Sequence, residues 1–265
     1  ASVAGSAVAA PTADVSSLVQ RASQLQAGRE PVDSACECVG WHDAYNEHGM
    51  KCGWGRELDI AADSIPGPIA AMIPQLSFEF CQMYFGNLPN DRYCMNNRFG
   101  ARPTEWCYVR PGCSKGYKAQ KDVQGSLYVK NCSRDEDATL GEMKFEELAA
   151  YVYKNKLELG LAVQYAFPTW HVEKLPDMQA FWGLQAPADA APMGEGLRQR
   201  LKWHVGSGKT VFITSRSGHP PFAVSEGEKL YYINFNPDKA GFERKEDMNL
   251  WACVAGCGAA SKPIW

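Results

Sequence analysis

Two stretches decide the fold of this chain: CECVGWHDAY at residues 36–45 and CMNNRFGARPTEWCYVRPGC at residues 94–113. They contain five of the ten cysteines, and three more lie between positions 52 and 132. An even, clustered set at this density is typical of disulfide bonding in an oxidising compartment. We leave the pairing open, because eight cysteines alone allow about 105 connectivities. The disulfide candidates are Cys36, Cys38, Cys52, Cys81, Cys94, Cys107, Cys113, Cys132, Cys253 and Cys257.

Metal ligation, free thiols and redox exchange are the alternatives to structural disulfides. Structural zinc sites usually combine two Cys-x-x-Cys pairs, or Cys and His at short spacing. The closest cysteine pairs here are separated by one and three residues, in Cys36/Cys38 and Cys253/Cys257. A redox dithiol needs a stabilised thiolate, which the acidic Glu37 inside the first pair disfavours. Disulfides are therefore the preferred interpretation.

Composition excludes two classes of partner. The formal net charge is −3 and the isoelectric point is about 6.0, so there is no basic footprint for nucleic acid. No apolar run reaches the roughly 18 residues that a membrane helix requires. Residues 1–10, ASVAGSAVAA, resemble the end of a targeting peptide near its cleavage site. We expect a translocated protein without a transmembrane segment.

The predicted fold class is α+β: a loop-rich, disulfide-stabilised N-terminal module is followed by a small α+β domain with an antiparallel sheet. Turn residues dominate the first module, while helical and strand patterns dominate the second. A charged bridge, SRDEDA at residues 133–138, separates them. The predicted domains are an N-terminal extension with a short helix (1–35), the cysteine-rich region (36–132) and the C-terminal region (139–265).

Periodicity and capping signals predict the elements in more detail. A capping box, Thr139 with Glu142, predicts a helix that runs to about Lys156 and stops before Gly160. A turn with Gly227 predicts a hairpin between the last two strands. Three further helices are predicted at 12–27, 68–84 and 194–205. Strands are predicted at 161–167, 209–216, 222–225 and 229–235.

The run from Asp91 to Val109, with Trp106-Cys107-Tyr108 near its end, resembles part of a kringle domain. The flanking cysteine spacings depart from the kringle pattern, and the acidic pair that binds lysine in kringles is not identifiable. The WCYV…C element is more similar to the cysteine-rich modules of dinoflagellate and other algal proteins that are targeted out of the cytosol. This resemblance covers residues 36–132 and implies a location rather than an activity.

Two motifs suggest ligand binding. The run VGSGKT at residues 205–210 lacks the first glycine of a phosphate-binding loop, so we interpret it as a helix end. Three histidines each follow a tryptophan, and these are His42, His171 and His204. They are weak candidates for metal ligation, and the alternative is three partly buried histidines with backbone partners. We predict no metal site and no cofactor.

Aromatic residues offer a binding surface instead. Tryptophan and tyrosine form the usual centre of protein interfaces and of sugar-binding surfaces. The candidate binding residues are Trp41, Trp106, Tyr108, Trp182 and Trp265.

Catalysis has little support, because the sequence contains neither a GxSxG nor an HExxH motif. The leading hypothesis is a non-catalytic extrinsic subunit that docks through protein contacts on a larger, membrane-bound assembly. With the algal resemblance, one such assembly is a photosystem on the thylakoid lumen side. The alternatives are a secreted carbohydrate-binding protein and an enzyme with a site between the two regions.

Overall fold

Helices and two sheets organise the part of the chain that the structure describes. The structure, a computed structural model, describes residues 33–59, 80–97, 100, 104–119, 127–172, 181–184, 192–215, 222–233 and 251–258. The helices are α1 (Trp41–Asn46), α2 (Phe145–Asn155), α3 (Leu159–Ala166) and α4 (Glu195–Ser207). The strands are β1 (Trp106–Val109), β2 (Tyr117–Lys118), β3 (Tyr128–Asn131), β4 (Thr169–Val172), β5 (Thr210–Ser215), β6 (Phe222–Glu226), β7 (Lys229–Ile233) and β8 (Trp251–Ala255).

The cysteine-rich region is built around a small antiparallel sheet with β3 between β1 and β2. Four disulfides crosslink this region: Cys36–Cys113, Cys38–Cys107, Cys52–Cys81 and Cys94–Cys132. A fifth joins Cys253 to Cys257 in the C-terminal region. The prediction of disulfide bonding is confirmed, and it indicates an oxidising, non-cytosolic compartment.

The C-terminal region contains a five-stranded sheet in the order β4-β5-β6-β7-β8. Strand β4 runs parallel to β5, and the other neighbours are antiparallel. Gly227 adopts a φ of 56° in the turn between β6 and β7, as the predicted hairpin requires. Gly208 ends α4 with a φ of 64°, so VGSGKT is a helix end followed by a strand. The α+β class is confirmed.

One predicted strand is wrong. Residues 161–167 belong mainly to helix α3, and every side chain of this helix is buried. A fully buried helix shows no polar face, so its periodicity resembles that of a buried strand. The Glu158 carboxylate begins the helix by accepting hydrogen bonds from the backbone N–H groups of Gly160 and Leu161 at 2.9 and 2.5 Å.

The predicted capping box lies one turn too early. Residues Leu140–Glu142 form a 3-10 turn, and Thr139 makes no side-chain cap. Helix α2 begins after Lys144, whose backbone N–H donates to the Glu147 carboxylate at 3.0 Å. It ends at Lys156, which takes the left-handed conformation with a φ of 55°. Gly160, the predicted stop, lies inside α3.

The two regions share one hydrophobic core, a question that the sequence left open. All described residues belong to a single compact unit, Asp33–Trp265. Trp41 and Trp106 from the cysteine-rich region lie in the same buried cluster as Phe145 and Tyr231 from the C-terminal region. A smaller cluster around Leu201 packs α4 against the outer side of the five-stranded sheet.

Several predicted features fall outside the described residues. These are the helix at 12–27, Trp265, and the helix at 68–84 except for its helical end at 80–83. Among the helices that the structure does describe, none combines the length and the apolar character needed to cross a membrane.

Candidate functional site

A pocket of about 440 Å³ opens where α4 meets the edge of the five-stranded sheet. Two aromatic residues, Trp170 of β4 and Trp203 of α4, line it together with His204. The loop before α2 and the turn after α4 complete its wall. The remaining lining residues are Arg134, Gly141, Glu142, Met143, Lys144, Pro168, Gly208, Lys209, Thr210, Val211 and Glu226.

Trp170 forms a fixed part of the pocket wall. Its ring packs edge-on against the His204 ring, with centroids 4.8 Å apart. The Arg200 guanidinium lies 5.8 Å from the same indole, within the range of a cation–π contact. These two contacts hold the indole at one orientation, so this side of the pocket is preformed.

His204 is 3% exposed, and its Nε2 lies 3.5 Å from the backbone carbonyl of Ser225. Burial lowers the pKa of the imidazole, because removal from water disfavours the charged form. The ring is therefore neutral at neutral pH. The polar contact of the His204 ring is with the backbone carbonyl of Ser225 and not with a carboxylate. This contact satisfies a buried ring nitrogen.

Charges of both signs surround the pocket. Arg134 is held by Glu105, with Nε–Oε2 and Nη2–Oε1 distances of 3.0 and 2.9 Å, and this double hydrogen bond raises the pKa of Arg134. Glu226 accepts a hydrogen bond from the backbone N–H of Phe145 at 2.7 Å. Lys144 and Lys209 are exposed at the rim. A mixed set of donors and acceptors beside indole rings suits a polar, weakly charged ligand surface better than a strongly anionic one.

Trp203 is the exposed aromatic residue of the pocket. Its side chain is 65% exposed although its neighbours in α4, Leu201 and His204, are buried. Large apolar side chains are favoured in the interior, so a tryptophan left in water on an ordered helix is a candidate contact residue. Tyr153 of α2, 82% exposed, is another exposed aromatic residue.

Three of the predicted aromatic binding residues are core residues. Trp41, Trp106 and Tyr108 are at most 1% exposed. Their rings meet edge to face at angles of 67° to 86° with centroids 5.1 to 5.8 Å apart, and Trp41 donates through Nε1 to the Tyr93 carbonyl at 2.8 Å. They fill the interior beside the disulfides, so they face no ligand. Trp182 is half-buried and packs beside Phe181.

The three Trp-His pairs do not form one site. In α1, Trp41 is buried and His42 is exposed, whereas in α4 Trp203 is exposed and His204 is buried. Consecutive side chains leave a helix in different directions, so the two members of each pair face different surroundings. Trp170 and His171 are both half-buried on β4. The described residues contain one convergent set of at least three potential metal ligands, and it consists of Cys38, Cys94, Cys107 and Cys132.

No family model matches this chain, and no curated protein or solved structure is significantly similar to it. The resemblance to algal cysteine-rich modules thus stays a prediction. Sequence analysis did not single out Trp203 or Trp170 as an aromatic anchor. An exposed tryptophan in an otherwise polar helix segment, EGLRQRLKWH, is the signal that points to the first of them.

Proposed function

We propose that this chain is a non-catalytic, disulfide-stabilised subunit that docks on a larger assembly through the surface around Trp203. The observation that carries this proposal is the 65% exposure of an indole on an ordered helix at the rim of a preformed pocket. Tryptophan is among the residues most enriched at the energetic centres of protein interfaces.

The rest of the molecule supports a docking role by being rigid. Five disulfides and one core shared by both regions leave little conformational freedom for the described residues to lose on binding. Preorganised surfaces bind more tightly because less ordering entropy opposes association. Such a block is suited to permanent attachment.

The specific assembly that we propose is a photosystem of an alga, with the subunit on the thylakoid lumen side. The algal resemblance of residues 36–132 motivates this assignment, and the disulfides agree with a compartment in which thiols are oxidised. In the native source, the chain is expected to co-migrate with chlorophyll-containing complexes after detergent solubilisation and density-gradient separation. It should also resist protease in intact thylakoids and become accessible when they are opened. Recovery only as a free soluble protein would contradict this assignment.

The docking surface is tested by rebinding recombinant protein to membranes from which the subunit has been washed. Trp203→Ala should weaken rebinding by about 30-fold, because an interface anchor contributes roughly 2 kcal/mol or more. Tyr153→Ala is the matched control: this residue is also highly exposed but does not line the pocket. Unchanged rebinding of the Trp203→Ala protein would refute the role of this surface.

A second candidate function is carbohydrate binding, which the pocket itself favours. The apolar faces of sugars stack on indoles, and the mixed charges from Lys144, Glu142 and Lys209 offer partners to hydroxyl groups. A glycan array should then show ligands for the wild-type protein that are lost in Trp203→Ala. Loss of glycan binding with full rebinding to membranes would favour this function over docking, and an array without ligands would exclude it.

A further inference from the structure

Two disulfides lie side by side in the centre of the cysteine-rich region. The sulfur atoms of Cys38, Cys94, Cys107 and Cys132, hereafter the four-sulfur cluster, all lie within 4.8 Å of one another. Cys38 and Cys94 belong to different disulfides, yet their Sγ atoms are 3.6 Å apart. Among the described residues, the other disulfides belong to no such cluster.

We propose that reduction of these two disulfides converts the four-sulfur cluster into a tetrahedral site for one thiolate-binding divalent cation of the Zn²⁺ type. Four cysteine thiolates are one of the closed ligand sets that hold structural zinc. With a Zn–S distance of about 2.3 Å, the sulfurs of a regular tetrahedron lie about 3.8 Å apart. The Cys38–Cys94 separation already has this value within a few tenths of an ångström.

The backbone holds the cluster through contacts that do not depend on the S–S bonds. Cys107 lies on β1 opposite Lys130 of β3, and the backbone N–H of Cys132 donates to the Glu105 carbonyl at 2.8 Å. On the other side, the N–H of Cys94 donates to the Ala138 carbonyl at 2.9 Å. The N–H of Val39, next to Cys38, donates to the Tyr108 carbonyl at 2.8 Å, so backbone hydrogen bonds hold all four cysteine-bearing segments when the two disulfides are broken.

The surroundings suit a closed metal site. Cys38, Cys94 and Cys107 are at most 7% exposed and Cys132 is partly buried, so most of the cluster is shielded from water. Four thiolates on a divalent cation carry a net charge of −2, and a buried ion pair, Lys130 with Asp137, lies beside the cluster. The Lys130 ammonium is 2.7 Å from Asp137 Oδ1, which in turn lies 3.8 Å from Cys38 Sγ. Lys130 offsets the charge of Asp137, so this ion pair adds no net charge to that of the cluster.

Each disulfide accepts two electrons and two protons from one molecule of a dithiol reductant, which becomes a disulfide itself. Two such steps yield four thiols. Binding of the cation as a tetrathiolate then releases four protons, so occupancy falls as the pH is lowered. A disulfide oxidant that takes two electrons from each pair of thiolates, and two protons from water, becomes a dithiol, reforms the S–S bond and releases the ion once both pairs have reacted.

The test uses the full-length protein, reduced anaerobically with a phosphine, which takes up the oxygen of one water for each disulfide it reduces. Titration with Co²⁺ should give the absorption of tetrahedral cobalt thiolate, saturating at one ion per chain. One equivalent of Zn²⁺ should remove that absorption. Circular dichroism should show that the metal-loaded reduced protein keeps its fold.

Matched variants locate the site. The cobalt spectrum should be lost in Cys94→Ser/Cys132→Ser and in Cys38→Ser/Cys107→Ser, although each retains eight other cysteines. It should persist in Cys253→Ser/Cys257→Ser and in Cys36→Ser/Cys113→Ser. Absence of the spectrum in the wild type, its survival in either cluster variant, or unfolding of the reduced protein without metal uptake would each overturn the proposal.

Discussion

Lys130 and Asp137 form an ion pair inside the protein, with Nζ and Oδ1 2.7 Å apart and side chains that are only 2% and 9% exposed. The pair joins β3 to the charged segment at 133–138. The second carboxylate oxygen of Asp137 accepts a hydrogen bond from the backbone N–H of Ser133 at 3.0 Å. Because both charges are removed from water, each depends on the other for compensation.

Replacing Lys130 by methionine should lower the free energy of unfolding by about 3–5 kcal/mol, because it leaves a carboxylate buried without a cation. Urea denaturation of the oxidised protein measures this loss. The double variant Lys130→Met/Asp137→Asn should recover part of it, since no buried charge remains. Lys115→Met is the control: it breaks an exposed pair with Glu136, worth about 1 kcal/mol or less. Equal losses in the two single variants would show that burial does not govern the effect.

Glu57 makes a second buried polar centre, and it should make stability depend on pH. One carboxylate oxygen accepts from the Tyr45 and Tyr108 hydroxyls, and the other accepts from the backbone N–H groups of Gly53 and Gly55 at 3.1 and 3.0 Å. The hydrogen bonds favour the charged form, but burial outweighs them and raises the pKa of Glu57.

The folded protein holds the Glu57 proton more tightly than the unfolded chain does. The contribution of Glu57 to the free energy of unfolding is therefore fully present below the ordinary glutamate pKa of about 4.3 and is lost as the pH rises through the folded-state pKa. Glu57→Gln should remove this fall. The amide oxygen can still accept from the glycine N–H groups while the amide NH₂ donates to the tyrosine oxygens. Unfolding free energies measured across this range should show a flatter profile for the variant.

Tyr45→Phe provides the opposite change at the same centre. It removes a donor that favours the charged form of Glu57, so the pKa of the carboxyl should rise further and the loss of stability with pH should become larger. A flatter profile in Tyr45→Phe, or an unchanged profile in Glu57→Gln, would exclude Glu57 as the group responsible.

Gly141 allows a close approach between the 3-10 turn and the Glu105–Arg134 pair. A Cβ at this position would lie 2.5 Å from Glu105 Oε1 and 2.8 Å from the backbone carbonyl of Ala166. Gly141→Ala should therefore cost about 1–3 kcal/mol through overpacking. Gly196→Ala in α4 meets nothing within 4 Å and should instead stabilise by up to about 1 kcal/mol. Thermal unfolding should show a lower midpoint temperature for Gly141→Ala and a higher one for Gly196→Ala than for the wild-type protein.

Sequence patterns predicted three strands of the C-terminal sheet, β5, β6 and β7, because local turn signals separate these apolar runs. They failed at α3, where eight consecutive buried residues erase the difference between helical and strand periods. They also missed β4 and β8, which pair with distant strands. Pairing partners for short strands are set by tertiary contacts that no local window contains.

The aromatic residues show the same limit for the site. The number of tryptophans suggests that some of them lie on the surface, but not which ones. Trp106 is buried and Trp203 is exposed because of the residues that pack around each of them in the fold. Glu57 carried no signal at all, since a glutamate in a glycine-rich loop normally lies in water. Glu57 is buried beside two tyrosines: Tyr45, which is near it in the sequence, and Tyr108, which is distant.

The disulfides should differ in their contribution to stability according to the length of chain that each one closes. Cys36–Cys113 spans 77 residues, whereas Cys253–Cys257 spans 4. In the chain-entropy description these loops correspond to about 4.5 and about 2 kcal/mol, because the longer crosslink removes more freedom from the unfolded state. Cys36→Ser/Cys113→Ser should accordingly lower the midpoint of urea denaturation more than Cys253→Ser/Cys257→Ser does. The reverse order would mean that the C-terminal bridge contributes mainly by fixing the folded β8 edge of the sheet, where Cys253 pairs with Tyr231, rather than by restricting the unfolded chain.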